Sequence, residues 1–275
     1  MTNSENENLK NTLDGLKPEN MTQRTKSTDE CGTSECPICH GTGWELFFGE
    51  DGNEYARECD CGLRARQIQE SRKGFAAIPT TYKEITLKDI TLKYYEKPES
   101  KALFKTISES IKNYLGNLDE FMSQGKGMYF WSNTKGSGKT MLATAIMNEL
   151  INKHKKTVKF ATSLDILDEI KATYDGEGSE KRLLSDITSS DVLVIDDFGT
   201  ERKTDWTTER FYQIVNRRYV DKKVTFYTSN YDLNTLNYDD RITNRIRERS
   251  FVVHFPEESV REVKAKKENN IGGKA

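Results

Sequence analysis

The sequence predicts a doubly wound α/β fold with a parallel sheet, preceded by a small module that binds a metal ion. Three observations lead to this prediction. Strand-like and helix-like segments alternate between residues 127 and 255, a glycine-rich loop joins the first of those strands to a helix, and all five cysteines lie between residues 31 and 61. Such alternation is typical of parallel sheets, because parallel strands need long crossover connections that are usually helical.

The alternating segments are assigned from the spacing of their apolar residues. Predicted strands cover residues 127–132, 157–161, 191–196, 223–228 and 250–255. Predicted helices cover residues 62–76, 100–115, 139–153, 163–173, 206–219 and 239–248. Ile78-Pro79 breaks the chain after the first helix and marks a boundary. We therefore expect a disordered tail (1–30), a zinc-binding module with a linker helix (31–75), a nucleotide-binding domain (76–258) and a flexible tail (259–275).

The glycine-rich loop, Asn133-Thr-Lys-Gly-Ser-Gly-Lys-Thr140, has the spacing of a phosphate-binding P-loop. Its glycines allow successive N–H groups to face one anion, and the following helix N-terminus favours negative charge. Lys139 is expected to reach the β- and γ-phosphates of ATP, and the Thr140 hydroxyl to bind Mg²⁺. The expected nucleotide contacts are Asn133, Thr134, Lys135, Gly136, Ser137, Gly138, Lys139, Thr140 and Met141.

One loop position departs from the P-loop pattern, because Asn133 stands where the first glycine is usual. Asparagine tolerates a left-handed backbone better than most residues, so we expect the loop to form. The alternative is a glycine-rich turn that binds nothing, which the flanking strand and helix disfavour.

Polar residues follow two predicted strands at the sheet edge where ligands bind. The apolar run Val192–Ile195 ends in Asp196 and Asp197, and the strand at 223–228 is followed by Ser229 and Asn230. Asp196 is the expected partner of Mg²⁺, Asp197 is expected to orient or deprotonate the attacking water, and Asn230 to hold that water or sense the γ-phosphate. The alternatives are an acidic turn and a simple strand cap.

Arg241 and Arg245 lie four residues apart on one face of a predicted helix, and Arg247 and Arg249 follow. An arginine here, presented to the ATP of a neighbouring subunit, would act as a finger in trans. The alternative is a solvated basic helix.

The cysteines form two close pairs, Cys36-Pro-Ile-Cys39 and Cys59-Asp-Cys61. In a cytosolic protein such pairs indicate a metal site before they indicate disulfides, and structural Zn²⁺ takes four ligands in a closed tetrahedron. We choose these four cysteines as the ligands and hold Cys31 and His40 in reserve. Reduced cysteines in a flexible tail and a redox pair are the alternatives. A closed site indicates a binding platform and not a catalyst.

The composition of the chain limits the classes of partner that we expect it to bind. The net charge is −2, so any contact with DNA must come from a local basic patch. The N-terminal segment lacks an apolar signal core, and no apolar run approaches the roughly 20 residues that span a bilayer. We therefore expect a cytoplasmic protein with no membrane partner.

Four segments together resemble the bacterial and phage replicative-helicase loaders, the DnaC/DnaI group of AAA+ ATPases. They are the P-loop, Leu193-Val-Ile-Asp-Asp-Phe-Gly199, Thr228-Ser-Asn230 and Asp240-Arg-Ile-Thr-Asn-Arg245, within residues 76–258. By this resemblance Lys139 and Thr140 are Walker A residues, and Asp196 and Asp197 are Walker B residues. Asn230 is sensor 1, and Arg245, followed by Arg241, is the arginine finger.

The resemblance implies an AAA+ ATPase that loads the hexameric replicative helicase onto single-stranded DNA during primosome assembly, with the zinc module gripping the helicase. Self-association into an open ring or spiral, with ATP as the switch, is also implied. Asp197 stands where many AAA+ proteins carry glutamate, so we expect slow hydrolysis. No helical lid domain is predicted after residue 258, so a lid-borne sensor 2 arginine is expected to be missing. The alternatives are an IstB-type transposition helper ATPase and a non-hydrolysing adaptor.

Overall fold

The computed structural model describes residues 36–49, 51–64, 77–175 and 180–269. The chain divides into two compact units, residues 1–67 and 68–275, which are described separately. The predicted N-terminal tail, Cys31, the predicted boundary after residue 75 and most of the predicted linker helix lie outside the described residues.

The first unit contains an antiparallel hairpin between the two cysteine pairs. Its strands are β1 (Trp44–Phe48) and β2 (Glu54–Glu58), paired from Trp44 opposite Glu58 to Phe48 opposite Glu54. The four cysteines at the base of the hairpin form the buried centre of this unit, with Leu63 packed against them. The centre of this unit is therefore formed by cysteines, a residue type that binds metals, and not by the apolar core that so short a segment cannot build.

The second unit is a five-stranded parallel sheet with helices on both faces, as the sequence predicts. Its strands are β3 (Gly127–Trp131), β4 (Val158–Thr162), β5 (Val192–Asp196), β6 (Val224–Ser229) and β7 (Ser250–His254). They lie in the order β4-β5-β6-β3-β7. Every adjacent pair is parallel. The P-loop strand therefore lies between β6 and the edge strand β7.

The helices of this unit agree with the sequence where the apolar spacing is strong. They are α1 (Pro98–Gly116), α2 (Leu118–Ser123), α3 (Lys139–Asn152), α4 (Ser163–Ala172), α5 (Glu180–Ser189), α6 (Asp205–Val220), α7 (Asp240–Arg249) and α8 (Val260–Asn269), with short 3-10 turns at Thr80–Tyr82, Leu92–Tyr94 and Thr173–Asp175. Helices α2, α5 and α8 were not predicted from the sequence.

The sheet separates two apolar cores. On strand β5, Val192 and Val194 belong to the core shared with α1 and α3, whereas Leu193 and Ile195 belong to the core shared with α4, α6 and α7. All five residues of β5 are buried. A strand covered on both faces has no polar side to alternate with, which is why its sequence is one continuous apolar run.

The prediction of a flexible tail from residue 259 is wrong for residues 260–269, which form α8. Val260 and Val263, three positions apart, are buried on one face of this helix. The segment is rich in lysine and glutamate, so the two valines give only a weak apolar signal, and contacts with the rest of the unit stabilise the helix. The folded domain therefore extends beyond residue 258.

Across the described ranges, no helix is both long enough and apolar enough to span a bilayer.

Candidate functional site: the phosphate-binding loop and its cavity

The P-loop is formed by two left-handed glycines that lead into an open helix N-terminus. Gly136 has φ 76° and Gly138 has φ 102°. A Cβ on Gly136 would lie 3.0 Å from Ser259 Oγ and 3.1 Å from Arg261 Cβ, so a side chain there would be both strained and crowded. Helix α3 starts at Lys139, and no side chain of the described residues caps its N-terminus. Its first N–H groups are therefore available to an anion.

Asn133 does not act as the sequence argument expected. It is not among the residues with positive φ, so left-handed tolerance is the wrong reason for its presence. Its backbone N–H donates instead to Glu257 Oε1 at 3.0 Å, and the Thr134 N–H donates to Glu257 Oε2 at 2.8 Å. Of the nine predicted contact residues, Lys135 to Met141 line the cavity, whereas Asn133 and Thr134 are turned towards this carboxylate.

Lys139 is buried and its ammonium group is held by neutral oxygens. Its Nζ donates to the carbonyls of Ser132 (3.3 Å) and Thr134 (3.2 Å) and to Asn230 Oδ1 (3.0 Å). Burial lowers the pKa of Lys139, and the charges of nearby acids oppose that shift. Among the described residues, no carboxylate is in hydrogen-bond contact with this ammonium group, and a cation held only by dipoles is suited to receive a phosphate anion.

Asp196 and Thr140 meet at the carboxyl end of β5. The Thr140 hydroxyl donates to Asp196 Oδ1 at 2.8 Å, and the Thr228 hydroxyl donates to the same oxygen. Burial raises the pKa of Asp196, and these two hydrogen bonds oppose that rise. A hydroxyl and a carboxylate oxygen at one point are the hard donors that Mg²⁺ prefers, so the residues fit the predicted magnesium site.

Asp197 is held in an unusual backbone conformation beside this pair. Its φ is 53°, in the left-handed region, and its side chain is exposed and lines the cavity. Its N–H donates to Thr228 Oγ1 at 3.0 Å, and its carbonyl accepts from Ser163 Oγ at 3.1 Å and Thr200 Oγ1 at 2.8 Å. Surrounding bonds fix the strained conformation, as is common at functional sites.

These residues open into a cavity of about 460 Å³, which is large enough for a nucleotide. Asn230 lies on its wall, as predicted. The rest of that wall was not predicted from the sequence. It is formed by Thr81, Tyr82, Thr200, Val260, Arg261 and Lys264. Arg261 and Lys264 bring two cations to the site from α8, a helix that was not predicted, whereas the expected absence of a lid-borne sensor 2 arginine stays a prediction. The three-residue spacing of these cations on a helix was the available signal.

The predicted arginine-finger residues lie elsewhere on the second unit. The half-buried Arg245 stacks over the rings of Tyr212 (5.1 Å) and Tyr219 (5.5 Å) and donates to Asn216 Oδ1 at 3.0 Å. Arg241 is exposed and pairs with Asp239 at 3.0 Å. Neither arginine lines the cavity of its own chain, so a role in trans stays a prediction.

The four predicted zinc ligands converge in the first unit. Their sulfurs all lie within 4.8 Å of one another, and the Cys36–Cys59 and Cys39–Cys61 separations are 3.8 and 3.6 Å. A tetrahedron with Zn–S bonds of about 2.3 Å has sulfur–sulfur edges of about 3.8 Å, so the group fits zinc. His40 is exposed and outside the group. Gly41 and Gly43, at φ 84° and 77°, turn the chain after the first pair.

The chain is similar to a known protein family and to known proteins. Residues 121–268 match the family model described as IstB-like ATP binding protein. The chain is similar to the replicative helicase loader DnaC of Escherichia coli (strain K12), with 32% identity over 140 residues that cover 50% of this chain and 54% of that protein. The chain thus spans about half the length of the curated relatives it matches.

Two solved structures share the architecture of the second unit. The crystal structure of the DnaC helicase loader superposes with a TM-score of 0.55 at 25% identity, covering 65% of this chain and 100% of that one. The crystal structure of DnaI superposes with a TM-score of 0.54 at 23% identity, covering 66% of this chain and 95% of that one, and supports the fold alone.

Proposed function

The chain belongs to the family of IstB-like ATP binding proteins, and from that premise we propose that it is an ATP-dependent loader of the replicative DNA helicase. In this proposal it places a hexameric helicase on single-stranded DNA during primosome assembly in the cytoplasm. The observation that carries the proposal is the 32% identity to the helicase loader DnaC. The loop supports it, because a buried lysine, a hydroxyl–carboxylate pair and a helix N-terminus lie together there.

ATP binding is assigned to the residues around the cavity. The N–H groups at the start of α3 and the Lys139 ammonium bind the β- and γ-phosphates, and Arg261, whose N–H donates to the Gly136 carbonyl, adds positive charge beside the loop. Thr140 and Asp196 hold Mg²⁺, which when bound neutralises phosphate charge. The adenine base of ATP is assigned to the part of the cavity that is lined by Tyr82 and Met141.

Hydrolysis is assigned to Asp197 and Asn230, which face the same cavity. Asp197 orients the attacking water and takes its proton, and Asn230 holds the water near Lys139, which it already contacts at 3.0 Å. The aspartate side chain is one methylene shorter than glutamate, so it holds the water less closely and turnover is slow. Slow turnover that a partner stimulates suits a switch that holds the helicase with ATP bound and releases it afterwards.

The first unit is proposed to bind Zn²⁺ through Cys36, Cys39, Cys59 and Cys61 and to grip the helicase. One face of its hairpin carries three exposed apolar side chains, Trp44, Leu46 and Phe48. Glu58 and Glu54 lie across from the first and last of them on the same face. Apolar side chains between acidic ones complement an apolar partner surface with basic neighbours.

Single-stranded DNA and further copies of the chain complete the proposed assembly. We propose that copies associate as an open ring or spiral in which Arg245 or Arg241 faces the neighbouring ATP. Because the net charge is −2, DNA binding depends on local cations and should weaken with rising salt. DNA binding that barely changes with salt would contradict this part of the proposal.

The test is co-elution with the host replicative helicase on a sizing column, with and without ATP and Mg²⁺. A stoichiometric complex that ATP strengthens is expected, and Lys139→Ala should lose the ATP effect while keeping its zinc. Absence of a complex in both conditions would refute the loader function for that helicase.

Two other functions remain distinguishable. A transposition helper ATPase is favoured by the family match alone, and a stable complex with a transposase in place of the helicase would support it. A non-hydrolysing adaptor would bind nucleotide but show no turnover even with helicase and DNA present.

A further inference from the structure

A carboxylate from the far end of the domain lies directly behind the P-loop. We propose that Glu257 is a positioning residue for the nucleotide site, which holds the start of the P-loop in the conformation that presents Lys139 to phosphate. This inference rests on the proposed ATP binding at the same loop.

The contacts of Glu257 cover the first turn of the loop. Oε1 accepts from the Asn133 N–H at 3.0 Å, and Oε2 accepts from the Thr134 N–H at 2.8 Å and the Thr134 hydroxyl at 2.7 Å. Oε2 also accepts from Ser132 Oγ at 3.1 Å. Hydrogen bonds to a carboxylate are roughly twice as strong as neutral ones, so this group fixes three consecutive residues.

Those residues are the ones that support Lys139. The carbonyls of Ser132 and Thr134 both accept hydrogen bonds from Lys139 Nζ. Rotation of the peptide groups here would therefore move the ammonium away from the phosphate position. A glycine at position 133 would give the loop backbone more conformational freedom. Asn133 has less freedom, and its N–H is held by the carboxylate of Glu257, which lies outside the loop.

The position of Glu257 is itself fixed by strand β7. The Phe255 N–H donates to the Trp131 carbonyl at 2.7 Å, and the His254 ring stacks on Trp131 at 4.2 Å. His254 Nε2 lies 3.0 Å from Glu257 Oε1. The carboxylate is thus also held by a side chain outside the loop, which limits its conformational freedom.

A second observation places this segment in the nucleotide site. Four residues after Glu257, the Arg261 N–H donates to the Gly136 carbonyl at 3.3 Å, and the Arg261 side chain lines the cavity. The chain from β7 into α8 therefore holds the loop at residues 133–134 and again at Gly136. The hydrogen bonds to Glu257 also lower its pKa to about 2, so the carboxylate is ionised at neutral pH.

The competing explanation is that Glu257 only stabilises the fold. Its neighbour Glu258 provides a matched control, because it makes the same kind of bonds to a different segment. Glu258 accepts from the Glu96 N–H at 2.6 Å and the Lys97 N–H at 3.3 Å, before α1. Loss of either carboxylate should lower thermal stability, but only Glu257 contacts the P-loop directly. Glu258 reaches the loop one step removed, because the segment that it holds follows Tyr95, whose hydroxyl donates to the Ser137 carbonyl at 2.7 Å.

The experiment compares Glu257→Ala, Glu257→Gln and Glu258→Ala in the full chain. Affinity for a fluorescent ATP analogue with Mg²⁺ is measured together with the thermal midpoint. We expect Glu257→Ala to weaken binding by about tenfold or more, because four charge-assisted bonds to residues 132–134 are lost, two of them to backbone N–H groups. Glu257→Gln, which keeps one acceptor oxygen, should recover part of the affinity, and Glu258→Ala should lose clearly less affinity than Glu257→Ala, because Glu258 makes no direct bond to residues 132–134.

Amide hydrogen exchange gives a second measurement that does not depend on the alanine variant folding. In Glu257→Gln the amides of residues 133 and 134 should exchange faster than in wild type, whereas the amides of α3 should not. Equal affinity in wild type and Glu257→Ala, or equal losses in Glu257→Ala and Glu258→Ala, would overturn the inference. If wild type itself binds no ATP, the proposed function fails instead.

Discussion

Asp197 offers a test that separates catalysis from backbone strain at one residue. It is a non-glycine residue at φ 53°, directly after the buried strand β5, and its side chain faces the cavity. Asp197→Asn keeps the shape of the side chain and its tolerance of the left-handed region but removes the carboxylate. Asp197→Ala removes the carboxylate and also places an intolerant residue in that region.

The two effects have different sizes. A left-handed conformation costs an ordinary residue about 1–2 kcal/mol, and asparagine and aspartate are partial exceptions, so the alanine variant should be less stable than the asparagine variant by about 1 kcal/mol. Loss of a general base lowers a rate by roughly 10²–10⁴-fold. Both variants should therefore lose hydrolysis alike, while only the alanine variant should lose stability. ATP affinity should change little, because Lys139 and Thr140 remain in place.

The assay is phosphate release from a single turnover with helicase and DNA present, alongside urea unfolding of each variant. Hydrolysis by Asp197→Asn at the wild-type rate would show that Asp197 is not the base. Equal unfolding free energies for the two variants would show that the left-handed backbone carries no cost for alanine here.

Three further predictions concern Arg218, Glu257 and Cys39. Arg218 is 1% exposed and donates to four backbone carbonyls and the Thr225 hydroxyl. Arg218→Met should lower the unfolding free energy in urea by about 3–5 kcal/mol, because several buried acceptors lose their donor, whereas the exposed control Arg217→Met should change it by at most about 0.5 kcal/mol. The pKa of Glu257 in the folded state lies below its ordinary value of 4.5. The ionised carboxylate should therefore contribute fully to the free energy of unfolding above pH 4.5, and this contribution should be lost as the pH falls towards 2. The difference in thermal midpoint between wild type and Glu257→Gln should therefore narrow on acidification, and a constant difference would contradict the assignment. Cys39→Ser should abolish stoichiometric zinc, measured by elemental analysis, without shifting the unfolding of the second unit, and full retention of zinc would remove Cys39 from the ligand set.

The parts of this fold that the sequence predicts are those encoded over short distances. Strand β5 is one apolar run ending in two acids, and the P-loop lies between a strand and a helix within a single continuous segment. Family membership confirms the resemblance seen in these motifs. The parallel sheet then brings Asp196 to Thr140, at 2.8 Å, although 56 residues separate them in the chain. This long-range contact was predictable because ligand sites lie at the carboxyl ends of parallel strands.

Other parts of the site depend on contacts that no local pattern encodes. Glu257 meets Asn133 across 124 positions, and neither residue belongs to a motif that names the other. Helix α8 has only two buried valines to mark its inner face, so its order comes from packing and not from its composition. The chain from β7 into this helix places Glu257 against the P-loop and Arg261 and Lys264 in the wall of the cavity. Because one segment both anchors the loop and lines the cavity, ATP bound at Arg261 as proposed would stabilise α8, and by linkage a more stable α8 would raise the affinity for ATP to the same extent. A nucleotide-dependent change in this helix would thus be a direct consequence of binding, and it lies in the part of the domain that the sequence assigned to a tail.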